Sequence, residues 1–481
     1  MLSEGLGGCV VFGNAIENRE QLARLVSELR TAEPGALIAL DEEGGDVTRL
    51  YYTDGAPTPG NAALGAVDDV QLTEEVYQSI GTELRNLGVN LNFAPVADVN
   101  AEHGDAFIGT RSFGSDPDLV ARHTAAAVNG LQRAGVAACV KHYPGHGATA
   151  VDSHLSLPVV DATPEQLRAR ELKPFQQAVN AGARAVMTGH IRVPSLTGEE
   201  AATFAPAAID GLLRRELGFT GVVVTDALDM AAVGKRYNLG EAAVQALRSG
   251  CDVIVFGEGP PNQDEAKEWV ENCVRAVEQA VETGRLPLAR LKEASENAGA
   301  LRAWIADAAQ APAPPANPAA YENAASRALT VHGELPPLSD PLVVHLRFAD
   351  IIDEAAGEVP WDLEASLAEV FPAAEVLHVT PEDAGGFDLG PTEGRQVIFV
   401  SRNTHRLPSV EALLRAMAER ASVVLVDLGW PVLSGIPALR ARIDTYGTSR
   451  TTARAVARML ADGGRPASGL VLDSGSEHAR H

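Results

Sequence analysis

Residues 137–147 read AACVKHYPGHG, and this stretch carries the pattern that decides the fold. The apolar run Ala137–Val140 has the length and composition of a buried strand, and it ends at the charged and ring-bearing pair Lys141 and His142. The glycines and the proline that follow predict a loop rather than a continuing strand. The stretch therefore predicts a buried strand whose carboxyl end delivers functional groups.

The same pattern recurs through the first 300 residues. Short apolar runs alternate with longer segments in which apolar residues have helical spacing, which predicts parallel βα units with both sheet faces covered. The strand candidates are Gly8–Phe12, Ala36–Leu40, Val89–Ala94, Ala137–Val140, Ala185–Thr188, Gly221–Thr225 and Asp252–Phe256. The helix candidates are Arg19–Ala32, Gln71–Leu87, Pro117–Ala134, Pro164–Ala181, Pro206–Leu217 and Gly240–Ser249.

Polar residues at the ends of these strands distinguish between two α/β folds. A ring of functional groups at strand carboxyl ends is typical of the TIM barrel, whereas a doubly wound sheet concentrates its chemistry at one switch point with a Gly-rich loop. The chain contains no GxGxxG or GxxxxGK[ST] motif. We therefore predict a TIM-like (β/α) barrel over residues 1–310. The strand-end residues are Asp41, Asp98, Lys141, His142, His190 and Asp226.

A second, smaller α/β domain is predicted at residues 321–473. The stretch APAPPANP at residues 311–318 lies in a Pro/Ala-rich linker, residues 311–320, that separates it from the barrel. Residues 474–481 are predicted to be a disordered tail. The strand candidates are Pro341–Phe348, Ala374–Val379, Gln396–Val400, Ser422–Asp427 and Arg442–Tyr446, and the helix candidates are Val410–Arg420 and Ser449–Ala461.

Composition excludes several classes of partner. The chain has 39 Lys and Arg against 64 Asp and Glu, a formal charge of −25, which argues against nucleic acid and anionic lipid as partners. The four cysteines form no CxxC pair, so we expect buried reduced thiols. No signal peptide and no run of about 18 apolar residues is visible, so we expect a cytoplasmic protein without a membrane segment.

The loop after Lys141 contains the first candidate for chemistry. Asp152 and His154 are two residues apart, a spacing that suits a carboxylate orienting an imidazole, which could then donate and accept a proton. Several histidines in one short span also suggest a zinc site or a purely structural loop. Their spacing matches no tetrahedral zinc signature, so we expect neither a metal ion nor a cofactor.

The second candidate is Asp226, which directly follows the β-branched run 222–225. It is predicted to project from the carboxyl end of a strand, although an Asp in this position could also cap the next helix, as Asp229 could. A carboxylate opposite a proton donor is the arrangement that glycosidases need. The acidic turn from Asp41 to Arg49 could bind sugar hydroxyls by charge-assisted hydrogen bonds.

Together, KHYPGHG at residues 141–147, DSH at 152–154 and TDALDM at 225–230 resemble the motifs of glycoside hydrolase family 3, in particular its bacterial β-N-acetylglucosaminidase branch. The resemblance covers residues 5 to about 300, and the second domain looks like the α/β sandwich of two-domain members. It implies a retaining exo-hydrolase of terminal β-linked N-acetylglucosamine (GlcNAc), with muropeptides or chitooligosaccharides as substrates and a role in peptidoglycan recycling. The implied residues are Asp226 as nucleophile, His154 as acid/base with Asp152 as partner, and Asp41, Arg49, Arg111, Lys141 and His142 as sugar contacts.

The sequence departs from the family pattern at places beside the matched positions. Ala148 stands where the family has Asp after GHG, Asp46 replaces the Arg of GGRV, and residues 102–105 replace an Asn-Pro pair. The chain also begins close to the second strand of the family barrel, so the first strand is missing from this sequence. Either the barrel lacks that strand or, as we expect, the true start lies upstream.

Three other functions stay open at this level. Because a histidine acid/base leaves no anion to repel phosphate, a phosphorylase that releases GlcNAc-1-phosphate is one alternative. A β-glucosidase and a non-catalytic carbohydrate-binding protein are the others. The sequence does not indicate an oligomeric state.

Overall fold

The computed structural model describes residues 1–101, 107–149, 157–259, 262–347, 359–432, 436 and 438–463. Contacts divide the chain into two units, Met1–Glu43 with Asp68–Asn317 and Gly44–Val67 with Pro318–His481. The two units differ from the predicted contiguous domains in one respect, because residues 44–67 belong to the second unit. The boundaries at residues 310 and 321 stay predictions, and the predicted tail at 474–481 lies outside the described residues.

The first unit is built on seven parallel strands that form a nearly closed barrel with one seam, which confirms the predicted TIM-like fold. The strands pair in chain order, so each lies beside its sequence neighbours, and the seam separates the first from the last. The strands are β1 (Gly8–Val10), β2 (Leu37–Leu40), β3 (Leu91–Asn92), β4 (Ala137–Tyr143), β5 (Ala185–Thr188), β6 (Val222–Ala227) and β7 (Val253–Val255).

Helices follow the strands, and their starts are encoded locally. The Asn18 and Asp69 side chains accept hydrogen bonds from backbone N–H groups of the first turns, and Thr163 forms a capping box with Gln166. The helices up to residue 310 are α1 (Arg19–Ala32), α2 (Asn61–Val67), α3 (Val70–Leu87), α4 (Pro117–Arg133), α5 (Pro164–Ala169), α6 (Leu172–Asn180), α7 (Pro194–Thr197), a π-helix (Ala207–Glu216), α8 (Ala231–Gly234), α9 (Leu239–Ser249), α10 (Gln263–Glu282) and α11 (Leu288–Ala308).

One predicted helix, residues 164–181, is interrupted between α5 and α6. The reason is Pro174, which has no N–H for the carbonyl of Arg170 and whose ring would collide with that carbonyl in a continuous helix. The first helix therefore ends before the second begins. The long helices α10 and α11 were not predicted from the sequence.

Alternate residues of successive strands fill the barrel interior. Ala39, Cys139 and Val224 lie in one buried cluster with their counterparts on neighbouring strands. Side chains of a strand alternate between its two faces, so residues two positions further along point the same way. This cluster contains Leu301 of α11 and the strand and strand-end residues Leu37, Ala39, Leu91, Phe93, Ala137, Cys139, Ala185, Met187, Val222, Val224 and Val255.

The second unit contains a six-stranded sheet in the order β10-β9-β11-β12-β13-β8, with β8 antiparallel to β13 and the other neighbours parallel. Apolar clusters cover both of its faces, as expected for an α/β sandwich. The antiparallel β8 was not predicted. The remaining elements are α12 (Pro318–Ala328), β8 (Thr330–Gly333), β9 (Leu342–Leu346), α13 (Leu363–Val370), β10 (Glu375–Val379), β11 (Gln396–Ser401), α14 (Pro408–Ala418), β12 (Ser422–Asp427), β13 (Ala441–Asp444) and α15 (Arg450–Ala461).

Asp46 holds the segment 44–67 within the second unit. Its Oδ2 lies 2.7 Å from Arg402 Nη2, and its Oδ1 accepts hydrogen bonds from the backbone N–H and the hydroxyl of Thr448. The residue that departs from the family pattern thus has a defined structural role here. Among the described residues, no helix is both long enough and apolar enough to cross a membrane.

Two glycines provide a test of helix packing in the barrel unit. A Cβ on Gly130 of α4 would collide with the Glu74 carbonyl of α3, whereas a Cβ on Gly299 of α11 meets nothing within 4 Å. We predict that Gly130→Ala lowers the free energy of unfolding by about 1–3 kcal/mol through overpacking. Gly299→Ala, the matched control, should raise it by up to about 1 kcal/mol because alanine favours helix. Urea denaturation measures both, and equal effects would contradict the proposed packing constraint.

Candidate active site

Three charged residues extend the alternation of the barrel interior to its carboxyl end. Asp41, Lys141 and Asp226 each come two positions after an interior residue, namely Ala39, Cys139 and Val224. All three charged groups affect the pKa of the Cys139 thiol. Burial raises its pKa, nearby Lys141 lowers it, and the charges of Asp41 and Asp226 raise it. Three residues in or directly after different strands thus lie near enough to one buried thiol to shift its pKa.

Lys141 lies at the centre of a buried charge cluster. Its Nζ is 2.6 Å from Asp41 Oδ1 and 2.7 Å from Glu43 Oε1. The Arg111 guanidinium donates to both oxygens of Glu43, at 3.0 Å from Nε and 2.8 Å from Nη2. Such a bidentate, charge-assisted pair is both strong and directional. We call Asp41, Glu43, Arg111 and Lys141 the charge cluster.

The charge cluster determines its own ionisation. Burial alone would raise the pKa of Glu43, but Arg111 and Lys141 outweigh burial and hold that pKa well below its usual range. Burial alone would lower the pKa of Lys141, yet Asp41 and Glu43 keep it raised. Every member with a resolved shift is therefore held in its charged form at neutral pH.

A second buried carboxylate, Asp98, orients the loop that follows β4. Its Oδ2 is 2.7 Å from His142 Nδ1, and its Oδ1 accepts the backbone N–H groups of His142 and His146. Burial would raise the pKa of Asp98, but His142 and His146 lower it overall. Asp98 thus determines the ring orientation of His142 beside the charge cluster. The Lys141–His142 peptide bond within β4 and the Tyr143–Pro144 bond at the start of this loop are cis.

His146 has a different character from His142. Burial lowers the pKa of His146 to about 4, so its ring is neutral at physiological pH. The Thr149 hydroxyl donates to the His146 carbonyl and lies 2.6 Å from His146 Nδ1, which assigns the ring proton to Nδ1. His146 therefore stabilises the loop conformation as a neutral group.

Asp226 is the half-buried penultimate residue of β6, and its Oδ1 accepts the N–H of Ala227 at 2.8 Å. The next carboxylate, Asp229, does not cap α8, which has no side-chain cap, and accepts the N–H of Gly257 instead. His190 contacts the Ala227 carbonyl through Nε2 and the Thr203 hydroxyl through Nδ1, and so braces the end of β6. Asp226 is the carboxylate of this segment that lies among the strand ends.

The structure gathers several of the predicted site residues and leaves others apart. Asp41, Arg111 and Lys141 lie in the charge cluster, and His142 adjoins it. Arg49 belongs to the second unit, where it is buried. Asp152 and His154 lie outside the described residues.

Glu43 and Asp98 were not assigned roles from the sequence. Glu43 lies two positions after Asp41, so strand alternation could have indicated that both point the same way. Asp98 was recognised only as a polar residue after a strand. Within the described residues, a set of His, Cys or carboxylate side chains close enough to share a metal ion occurs in the second unit and not at this site.

Known proteins are similar to this chain in sequence and in fold. Residues 1–298 match the profile described as Glycosyl hydrolase family 3 N terminal domain. β-Hexosaminidase A of Pseudoalteromonas piscicida is 32% identical over 377 residues, which cover 72% of this chain and 63% of that protein. A β-hexosaminidase of Stenotrophomonas maltophilia (strain K279a) is 38% identical over 274 residues, which cover 56% of this chain and 81% of that protein.

A solved structure is similar over almost the whole chain. It is a glycoside hydrolase family 3 β-N-acetylglucosaminidase from Paenibacillus sp. str. FPU-7, with a TM-score of 0.82 and 32% identity. The match covers 95% of this chain and 91% of that one. It therefore includes both the barrel unit and the second unit.

The charge cluster predicts a characteristic pH dependence of stability. Because the folded-state pKa of Glu43 lies below its unfolded value of about 4.3, its contribution is fully present above that value and is lost as the pH falls through the folded-state pKa. Glu43→Gln removes the buried negative charge that Arg111 and Lys141 share, and it should lower the free energy of unfolding by about 3–5 kcal/mol at pH 7. The difference between the free energies of unfolding of wild type and Glu43→Gln should become smaller below about pH 4.

Urea unfolding at several pH values between about 3 and 7 measures this difference. The exposed Glu28→Gln provides the matched control, since the same substitution there should change stability by no more than about 0.5 kcal/mol. If the stability difference between wild type and Glu43→Gln stayed constant down to about pH 3, the lowered pKa of Glu43 would be contradicted.

Proposed function

This chain belongs to glycoside hydrolase family 3, and from that premise we propose that it is a retaining exo-β-N-acetylglucosaminidase. The observation that carries the proposal is the proximity of Asp41, Lys141 and Asp226 to the Cys139 thiol at the carboxyl end of the barrel. The names of the relatives, β-hexosaminidases and a β-N-acetylglucosaminidase, support N-acetylhexosamine as the sugar.

In the proposed reaction Asp226 is the nucleophile. Its carboxylate attacks the anomeric carbon, the bond to the leaving oxygen breaks, and a covalent glycosyl-Asp226 intermediate forms. His154 gives its proton to the departing oxygen. Water then attacks the same carbon while His154 takes up one of its protons, and the released sugar keeps the β configuration. Asp152 is proposed to hold the His154 ring in the productive orientation.

Sugar binding is proposed for Asp41, Arg111, Lys141 and His142. Glu43 pairs with both Arg111 and Lys141 and holds these cations in place. The cations and the Asp41 carboxylate can therefore form hydrogen bonds with sugar hydroxyls without a large rearrangement of side chains. Asp98 is a positioning residue because it acts through His142. Arg49 is included by resemblance alone.

The finer biological context is also part of the proposal. Terminal GlcNAc on muropeptides or chitooligosaccharides is the proposed substrate, with peptidoglycan recycling as the process and the cytoplasm as the compartment. The acidic surface, with its formal charge of −25, is compatible with an uncharged glycan and unfavourable for polyanions. No observation favours β-glucosidase activity or a non-catalytic role over hydrolysis of GlcNAc.

The nucleophile is tested by two substitutions of the same kind, three residues apart. Asp226→Asn should reduce kcat for p-nitrophenyl β-N-acetylglucosaminide by roughly four orders of magnitude or more, because the amide is not a nucleophile. Asp229→Asn can still accept the Gly257 N–H and should retain most activity. Initial rates measure both. A loss in Asp229→Asn as large as in Asp226→Asn would contradict the assignment.

The acid/base is tested by the dependence on the leaving group. His154→Ala should lose about 10²–10⁴-fold in rate on a disaccharide such as chitobiose, because its leaving alkoxide needs a proton. The loss should be much smaller on aryl glycosides with acidic phenols. Rates across a series of substituted phenyl glycosides provide the measurement, and equal losses on all of them would refute the role of His154.

Hydrolysis and phosphorolysis are distinguished by the product. We expect free GlcNAc, first as the β-anomer by proton NMR, in buffers with and without phosphate, and no reaction with the corresponding glucoside. GlcNAc-1-phosphate formed in phosphate buffer would reassign the chain to the phosphorylases. The α-anomer as first product would exclude a glycosyl-enzyme intermediate.

A further inference from the structure

The second unit contains a cluster of two histidines, a glutamate and an arginine. His345 of β9 and His378 of β10 are direct register partners on neighbouring parallel strands. Glu364 reaches them from the first turn of α13. The ligand atoms of His345, Glu364 and His378 all lie within 4.8 Å of one another. None of these residues has a role in the proposed reaction.

The hydrogen bonds of the cluster cannot all be made at once. Glu364 Oε1 is 2.5 Å from His345 Nδ1, 2.9 Å from His378 Nε2 and 3.1 Å from Arg347 Nη2. Arg347 Nη2 is also 3.1 Å from His378 Nε2. A single ring nitrogen would have to accept from the guanidinium and also donate to the carboxylate, and it can do only one of these. A cation that accepts lone pairs from both rings and the carboxylate removes this conflict.

We propose that His345, Glu364 and His378 bind a divalent transition-metal ion of the Zn²⁺ class. Imidazole nitrogens with one carboxylate form a donor set that suits this class and not Ca²⁺ or Mg²⁺. Ligand atoms around a four-coordinate zinc ion lie about 3.3 Å apart, given bonds of about 2.0–2.1 Å. The Glu364 oxygen lies 2.5 and 2.9 Å from the two imidazole nitrogens, and all three ligand atoms lie within 4.8 Å of one another, so each nitrogen needs to move away from that oxygen by less than about 1 Å.

Arg347 occupies the position that the ion requires. Its guanidinium contacts both Glu364 and His378, and its side chain is 55% exposed, so it can swing into solvent. The fourth coordination position then falls to water. The His345 ring is fixed from behind by Trp361, whose ring meets it edge-on at 5.5 Å. Arg347 therefore competes with the ion, while Trp361 preorganises one of its ligands.

The ion would join α13 to the strands β9 and β10, which already pair with each other through backbone hydrogen bonds. His345 is on a strand within the sheet, His378 is on the edge strand β10, and Glu364 is on α13, whose Leu363 and Leu367 pack on the same sheet face. An ion that binds only the folded state stabilises it by mass action. The site would therefore strengthen the edge of the second sheet, and it is independent of the proposed glycosidase activity.

The test measures zinc binding directly in the full-length protein, with Zn²⁺ titrated in competition with a chromophoric chelator. Wild type should bind at this site with an affinity that Glu364→Gln and His378→Ala each weaken by more than about tenfold. Arg347→Ala should bind more tightly, because it removes the competing cation. His378 is 46% exposed, so its replacement is not expected to disturb folding.

His332→Ala is the matched control, since His332 is a partly exposed histidine of β8 in the same unit and pairs with Asp444. It should leave zinc affinity unchanged, and the Co²⁺-loaded protein should lose its visible absorption in His378→Ala but not in His332→Ala. Zinc binding that is equal in wild type, Glu364→Gln and His378→Ala would overturn the proposal. The proposal would also be overturned if the wild-type protein bound no Zn²⁺ when the Zn²⁺ concentration is 100-fold that of the protein.

Discussion

The arrangement at the barrel mouth depends on one buried carboxylate, Glu43. It pairs with both Arg111 and Lys141, which come from different parts of the chain, and it offsets part of the cost of burying their charges. The same Lys141 contacts Asp41 beyond the end of β2. The cluster thus ties β2, β4 and the 3₁₀ turn Gly109–Arg111 to one another at the end of the barrel where the other functional groups emerge.

A second buried carboxylate, Asp98, also accepts hydrogen bonds from several groups, but it positions a loop instead of pairing two cations. It accepts two backbone N–H groups and one imidazole, so it determines the path of the Gly- and Pro-rich loop as well as the orientation of His142. The neutral His146 closes that loop on Thr149. Because these groups are held by one another, a polar ligand can be bound without a large cost of ordering side chains.

The second unit shows how a substitution outside the site can be absorbed. Asp46 stands where the family has arginine, and here it pairs with Arg402 and accepts two hydrogen bonds from Thr448. These contacts hold residues 44–67 against the second sheet and α2 beside α12. A segment lying early in the chain therefore belongs to a unit made mostly of its end, which local sequence patterns do not reveal.

Local patterns determined most of the fold and part of the candidate site. Apolar runs and caps define β5, β12 and α1 closely, because burial and the first hydrogen bonds of a helix depend on neighbouring residues. Positions at predicted strand ends selected Asp41, Lys141, His142 and Asp226, and the resemblance to the family added Arg111. The tertiary structure alone decided that Glu43 joins Lys141 to Arg111, that Asp98 holds His142, and that β8 pairs antiparallel with β13. These contacts join residues that are far apart in sequence. The ion pairs form because charged groups that are buried together must be matched by opposite charges. Local sequence patterns contain no information on which distant groups will be buried together.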